Sequence, residues 1–261
     1  MKHIWITGAS SGLGRAIALE YAQKGVKLAL SGRNIKALAE VQKECQQLGA
    51  EALTVPFDVT HSYELNTAFQ IIEEEFRYID VIVCNSGIGQ RALASETPLD
   101  IDREIMEVNY FSHITLTKKL LPLMVRRKKG KIIAISSVSG QFGYPLRSAY
   151  CAAKHALNGF YETLAFELKN SNISVTIVCP GRLQNSFSEN ALTSTGEPYG
   201  INDKAHQNGI SLEKAARKIV NAANAGKILI NLGYKESLMN YIKRFSPSLF
   251  YWVVPKVEKL N

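Results

Sequence analysis

Short apolar runs rich in β-branched residues alternate with longer amphipathic stretches along most of the chain, and this alternation constrains the fold most. Strands are expected at residues 2–7, 26–31, 51–56, 80–84, 131–136, 173–179 and 227–231. Helical spacing predicts helices over 12–24, 35–48, 62–77, 99–127 (as two helices), 148–169 and 211–225. Strands alternating with helices of ten or more residues imply βαβ units. Val81-Ile82-Val83 and Val175-Thr176-Ile177-Val178 are apolar without alternation, as strands covered on both faces must be. The expectation is therefore an α/β chain: a doubly wound, mainly parallel, seven-stranded sheet with helices on both faces. Ligands of such sheets bind beyond the carboxyl ends of the strands.

The chain has 261 residues, 46% of them hydrophobic, enough to bury one sizeable core, so residues 1–261 are read as a single domain. A formal charge of +8 suits an anionic cofactor, nucleic acid or an acidic membrane surface. The densest basic cluster, Arg126-Arg127-Lys128-Lys129 with Lys131, falls at a helix C-terminus, where it complements the helix dipole. No nucleic-acid-binding signature accompanies it, which argues against such a partner. Cys45, Cys84, Cys151 and Cys179 form no paired motif, and the five His residues show no ligand spacing, so no metal is expected. Strand and glycine turn follow Met1 almost at once, and no apolar stretch approaches a membrane span; the expected location is cytoplasmic.

Three features carry chemistry. Thr7-Gly8-Ala9-Ser10-Ser11-Gly12-Leu13-Gly14-Arg15 joins the first strand to the first helix. Glycines there permit positive φ and close backbone approach, and the helix N-terminus offers amide donors to an anion. Tyr150 and Lys154 stand one helical turn apart, on one face. A Lys charge beside a phenol is expected to lower its pKa towards the range useful for acid/base work. Ser137 ends the fifth strand, where its hydroxyl can share a substrate oxygen with Tyr150. Taken alone, each feature also has a plain structural reading: a tight turn, a solvated helix face, a strand end.

Taken in order, Thr7-Gly8-x-x-x-Gly12-x-Gly14, Asp58-Val59, Asn85-Ser86-Gly87, Asn109, Ser137, Tyr150-x-x-x-Lys154 and Pro180-Gly181 resemble the short-chain dehydrogenases/reductases, from Met1 to about Asn231. Ser137-x-x-Gly140 followed by Tyr144-Pro145 resembles, within that family, the 11β-hydroxysteroid-dehydrogenase-like reductases. The resemblance implies a Rossmann-type fold, a nicotinamide dinucleotide, and an enzyme acting on a small carbonyl or alcohol. It implies Asn109, Ser137, Tyr150 and Lys154 as the catalytic set, with Asn109 holding a water that links Lys154 to solvent. It implies Gly8, Ser10, Ser11, Gly12, Leu13, Gly14, Arg33, Asp58, Val59, Asn85, Gly87, Tyr150, Lys154, Pro180, Gly181 and Leu183 as cofactor contacts. Ser137, Tyr144 and Tyr150 would meet substrate. Where the family often has Val or Ile and then Thr after Pro-Gly, this chain has Leu183 and Asn185.

The second strand ends Leu30-Ser31-Gly32-Arg33-Asn34, with an Arg where NAD-choosing folds commonly place an acid, so NADP(H) is the expected cofactor. Asp58 can serve the adenine region or simply cap a turn. Residues 182–209, rich in Ser, Asn, Thr and Gly, read as a substrate lid. In the tail, 232–261, the aromatic segment 246–255 is read first as packing over the core or a second subunit. A pocket flap or shallow membrane contact is the sharper alternative. The family also implies a homodimer or homotetramer through the long helices around 110–127 and 148–169. A non-catalytic dinucleotide sensor or scaffold on the same fold is the competing function. Nucleotide-sugar epimerases, which also use Tyr-x-x-x-Lys, need a larger substrate region than the tail provides.

Overall fold

A computed structural model describes residues 1–23, 25–201 and 208–257. The parallel sheet comprises β1 (His3–Thr7), β2 (Lys27–Ser31), β3 (Glu51–Thr54), β4 (Val81–Cys84), β5 (Gly130–Ile135), β6 (Ile173–Pro180) and β7 (Leu229–Leu232). Its order is β3-β2-β1-β4-β5-β6-β7, and every strand pair is parallel, so the expected "mainly parallel" sheet is parallel throughout. The order reverses between β1 and β4, which opens a crevice at their carboxyl ends.

Helices α1 (Gly12–Ala22), α2 (Ile35–Gln47), α3 (Ser62–Phe76), α4 (Leu99–Met106), α5 (Ser112–Arg127), α6 (Ser148–Glu167) and α7 (Leu212–Asn224) connect the strands. Two cores result, one on each face. Ile4, Ile6, Leu28, Leu30, Val81 and Val83 meet Ile17, Leu38 and Ile219 on one face. Trp5, Ile82, Ile132 and Ile177 meet Ile72, Leu116, Leu157 and Tyr161 on the other. Alternate residues of one strand feed opposite cores, which is why the strands read as continuous apolar runs.

Two elements depart from expectation. The 99–127 stretch forms the two expected helices, α4 and α5, but they run on through a π-helical turn, Glu107–Phe111, with Asn109 inside it. Such a turn accommodates one extra residue and re-aims the side chain at that point. The tail holds two helices that the periodicity does not predict, α8 (Tyr234–Phe245) and α9 (Pro247–Val257). Pro247 and Pro255 hid α9, yet Pro247 opens the helix, where its missing N–H costs nothing, and Pro255 falls in the last turn. Phe250 and Val254, one turn apart, pack on Val138 and Phe142, and this tertiary contact supports a helix in a β-prone sequence.

The 182–201 part of the expected lid is ordered by short bridges. Leu192 donates its N–H to the Gly89 carbonyl at 3.0 Å, and Arg91 donates to Leu192 at 2.8 Å. Its far end returns beside its start, Gln184 and Ile210 pairing at 3.0 Å. Residues 202–207 of the lid, 258–261 of the tail and Lys24 of the first predicted helix lie outside the described residues. Among the described residues, no helix is long and apolar enough to cross a membrane.

Candidate active site

The glycine turn between β1 and α1 is built by steric necessity. Gly8 and Gly12 have φ of +63° and +53°, which side-chain-bearing residues adopt at a cost. A Cβ on Gly14 would lie 2.1 Å from the Gly8 carbonyl oxygen, so only hydrogen fits there. A Cβ on Gly12 would meet nothing within 4 Å, which leaves open space over the first amides of α1. The turn is therefore a cradle of the kind a pyrophosphate occupies at a helix N-terminus. Ser11 stands at the start of α1 without using its side chain as a cap. Leu13 is buried in the core, so its contribution to the cradle is its amide.

Asn85 holds this turn in place. Its side-chain amide donates to the carbonyls of Thr7 at 2.9 Å and Gly8 at 3.2 Å. The Thr7 hydroxyl in turn accepts from the amides of Asn85 and Ser86 at 3.0 and 3.2 Å. The side chain expected as a cofactor contact is thus a clamp between the ends of β1 and β4, with its donors spent on backbone.

At the end of β2, Arg33 lies 3.8 Å from Asp58 and its side chain is 73% exposed. Asp58 accepts from the Thr60 amide and hydroxyl at 2.9 and 2.8 Å, a side-chain turn ahead of α3. Partial burial pushes the Asp58 pKa up, but the Thr60 hydrogen bonds and the Arg33 charge outweigh it and hold the carboxyl below its ordinary range. The capping alternative for Asp58 is what its side chain shows, while Val59 beside it packs against the core. Ser10 borders the Arg33 turn: a Cβ on Gly32 would sit 3.4 Å from its hydroxyl. Arg15, in the first turn of α1, bridges α1 to α2 through Glu44.

The proton-handling residues converge at the ends of β5 and β4. Ser137 starts a tight turn, Val138–Gly140, and its hydroxyl accepts from the Ser139 amide at 3.1 Å. That turn presses on α6, where a Cβ on Gly140 would fall 2.7 Å from the Lys154 carbonyl. Ser137 stands close enough to the Tyr150 phenol to act on its pKa. Tyr150, Lys154 and Asn109 are all buried. Gly87 fills the gap between the last two; a Cβ on it would lie 2.9 Å from Asn109 Oδ1 and 3.8 Å from Lys154 Nζ.

Two expectations about this set change. The Lys154 ammonium does not sit against the phenol: it donates to the Ile135 carbonyl at 3.0 Å and lies 5.8 Å from the Tyr150 ring centre. Burial pushes the Tyr150 pKa up to about 12, the neighbouring Ser137 side chain opposing it, so depression by Lys154 is not what this geometry produces. Burial pushes Lys154 itself down to about 7. Asn109 spends its amide on the carbonyls of Ile88 and Ile105 at 2.9 and 3.0 Å and accepts from the Ile88 N–H at 3.3 Å. Its side chain pins the Gly87–Ile88 turn.

Pro180 closes β6 and Gly181 follows it, at the same edge of the sheet. Leu183 is 5% exposed and belongs to the core against α7, so its side chain is not a cofactor contact. Asn185 accepts from the Phe187 amide at 3.3 Å and starts the lid as a turn. A cleft beside Tyr150 is lined by Gly89, Gln90, Arg91, Arg147, Phe187, Ser188 and Ala191. The Phe187 ring lies 5.9 Å from that of Tyr150, so this segment packs against the Tyr150 ring. Tyr144 does not line this cleft; it packs towards Val138 and Phe142, with Arg147 over its ring at 5.0 Å.

Sequence reasoning missed two supporting residues. Gln90 is 1% exposed and accepts from the amides of Ala149 and Tyr150 at 2.8 and 3.2 Å, capping α6 from another segment. A cap supplied from so far along the chain leaves no local signal. His113 is buried beneath the site and donates to the Ser86 carbonyl at 2.6 Å. It shares a helix face with Leu116, Thr117 and Leu120, a spacing that marks it as inward-facing. Burial and the nearby Lys154 charge lower its pKa to about 3, so it stays neutral.

These shifts set a pH dependence. Lys154 titrates near 7 in the folded chain and ordinarily near 10.5, so the unfolded state binds more protons between those values and stability rises with pH. The buried thiols, ordinarily near 9 and raised by burial as Cys179 is, act in the opposite sense above pH 9. Melting temperature is therefore expected to rise from pH 7 to pH 9, and Lys154→Met to remove that rise. An equal rise in the variant, followed by calorimetry, refutes the assignment of a depressed Lys154.

The family model for the short chain dehydrogenase matches residues 2–195. "Dehydrogenase/reductase SDR family member 7B" of Mus musculus is 40% identical over 254 residues, covering 95% of this chain and 79% of the relative. "Dehydrogenase/reductase SDR family protein 7-like" of Anopheles gambiae is 39% identical over 267 residues, covering 100% and 84%. Among solved structures, a short-chain dehydrogenase/reductase from Burkholderia phymatum, in complex with NAD, superposes with a TM-score of 0.85 at 22% identity over 95% of this chain and 94% of that one. An alcohol dehydrogenase from Thermococcus sibiricus, complexed with 5-hydroxy-NADP, does so at 0.77 and 24%, over 89% and 96%. With the parallel sheet, the glycine cradle and these matches together, the chain belongs to the short-chain dehydrogenases/reductases, an oxidoreductase family.

Proposed function

We propose that this chain is an NADP-dependent oxidoreductase that interconverts a carbonyl and a secondary alcohol. The observation that carries the reading is the buried grouping of Ser137, Tyr150 and Lys154 at the carboxyl edge of the sheet, with Tyr150 lining the lid cleft. The dinucleotide, seated on the glycine cradle, supplies the hydride. Tyr150 delivers a proton from its phenol to the substrate oxygen as negative charge develops there. A phenol raised to about 12 stays protonated at neutral pH, which favours donation and hence the reductive direction. Ser137 polarises the same oxygen. Lys154, part-charged near neutrality, replaces the lost proton and would hold the cofactor ribose. Asn109 positions the Gly87–Ile88 turn between itself and Lys154. Consumption of NADPH with a panel of ketones, aldehydes and diketones tests the proposal. Tight dinucleotide binding without turnover on any of them favours the sensor or scaffold alternative.

NADPH preference rests on Arg33, exposed at the end of β2 and loosely paired with Asp58 at 3.8 Å, and on Ser10 beside it. A guanidinium pairs its donors with a 2′-phosphate, a charge-assisted contact worth about 1.5–3 kcal/mol. Wild type is expected to favour NADPH over NADH in kcat/KM by roughly ten- to hundredfold, and Arg33→Ala to erase most of that ratio. Equal values in wild type sink NADP specificity; an unchanged ratio in the variant removes Arg33 from the site.

The same proposal extends to a homodimer or homotetramer and a cytoplasmic location. Val125 on α5 and Phe166 on α6 are exposed apolar residues on the helices expected to pair. Light scattering at micromolar concentration decides the first.

A further inference from the structure

Helices α8 and α9 carry two distinct apolar sets. Met239 and Ile242 of α8 pack with Phe250 and Val254 of α9 against Val138 and Phe142, next to the Ser137 turn. A second set faces out. Leu238, Tyr241 and Phe245 on α8 are 49%, 62% and 77% exposed, and Leu249, Tyr251 and Trp252 on α9 are 45%, 67% and 62% exposed. Positions 238, 241 and 245 step by three and four, so they form one stripe along α8. Positions 249 and 252 repeat that step on α9. The inward packing does not account for these side chains, and exposed aromatics gathered on adjacent elements mark a surface that meets something else.

Charge selects the occupant. Residues 234–261 contain five Lys or Arg against two Glu, within a chain of net charge +8. Arg244 is exposed beside Phe245, and Lys256 Nζ lies 3.2 Å from the Trp252 ring centre. Apolar stripes of Leu and aromatics edged by Lys and Arg describe helices that lie in a lipid headgroup layer. A second copy fits less well, because a two-fold interface sets this patch against itself and brings like charges together. We propose that α8 and α9 form a docking surface for an anionic lipid bilayer. Phe245 and Trp252 enter the headgroup boundary, and Arg244 and Lys256 pair with lipid phosphates. Because the inner face of the same helices abuts the Ser137 turn, docking sets the catalytic region close to the lipid surface.

Co-sedimentation of the full chain tests this, using vesicles of phosphatidylcholine alone and of equal parts phosphatidylcholine and phosphatidylglycerol. Binding is expected on the anionic vesicles and to weaken at high salt. Phe245→Ser with Trp252→Ser, and separately Arg244→Gln with Lys256→Gln, are each expected to lower vesicle affinity roughly tenfold or more. Their melting temperatures should stay near wild type, since the four side chains are exposed. The proposal is overturned if the wild-type chain remains in the supernatant with anionic vesicles, or if both double variants sediment as wild type does. It is equally overturned if Phe245→Ser with Trp252→Ser abolishes a dimer seen by light scattering while vesicle binding is unaffected, which assigns the face to a second copy.

Discussion

Tyr150→Phe is expected to lower kcat on a reducible carbonyl by about 10²–10⁴-fold, the usual worth of a positioned acid or base. Dinucleotide affinity should barely move. Tyr150 lines the cleft near Ser137, while the cradle is built from Gly8, Gly12, Gly14 and Asn85. The substitution removes one oxygen from a buried ring and opens no cavity in the core, so the fold should persist. Stopped-flow reduction and cofactor titration on the same preparation separate the two effects. Retention of half or more of wild-type kcat removes Tyr150 as proton donor; an equal loss of cofactor binding would make the residue structural.

Gly14→Ala should disable the cradle through the backbone. The added Cβ would meet Asn85 Nδ2 at 2.6 Å and Gly8 oxygen at 2.1 Å, and the latter is backbone that cannot swing aside. Relief requires the turn to leave α1, which breaks the Asn85 bonds to Thr7 and Gly8 and pulls the amides from their common focus. Overpacking of this kind typically costs about 1–3 kcal/mol of stability. Dinucleotide affinity is expected to fall roughly tenfold or more, since about 1.4 kcal/mol of displaced binding geometry suffices for that. Gly12→Ala is the control: its φ of +53° is strained for alanine, yet its Cβ meets no atom. It should therefore lose less affinity. Fluorescence titration with NADPH and thermal melts of both variants check the order, and equal losses would refute the steric account.

Much of this protein is legible in its sequence because the signals are local. A strand buried on both faces must be apolar at every position, so Val81-Ile82-Val83 announces itself. A helix needs one apolar side, so its period shows. Gly8, Gly12 and Gly14 declare a turn because few residues adopt that backbone, and Tyr150 and Lys154 share a face because helix geometry puts them there. Those rules produced the sheet, the cradle and the approximate catalytic set. The tertiary structure decided what depends on partners distant along the chain. It turned the Lys154 ammonium towards Ile135 and buried Tyr150 under Phe187, so desolvation rather than a neighbouring charge governs the phenol. It spent Asn85 and Asn109 on backbone and drew Leu183 into the core. It supplied Gln90 as the cap of α6 and folded the Pro-flanked tail into a helix by seating Phe250 and Val254 on Val138 and Phe142. Pattern and spacing report the backbone period and which residues share a face; dielectric surroundings, hydrogen-bond partners and packing across the fold belong to the assembled chain, because burial and charge are set by whatever the rest of the chain places nearby.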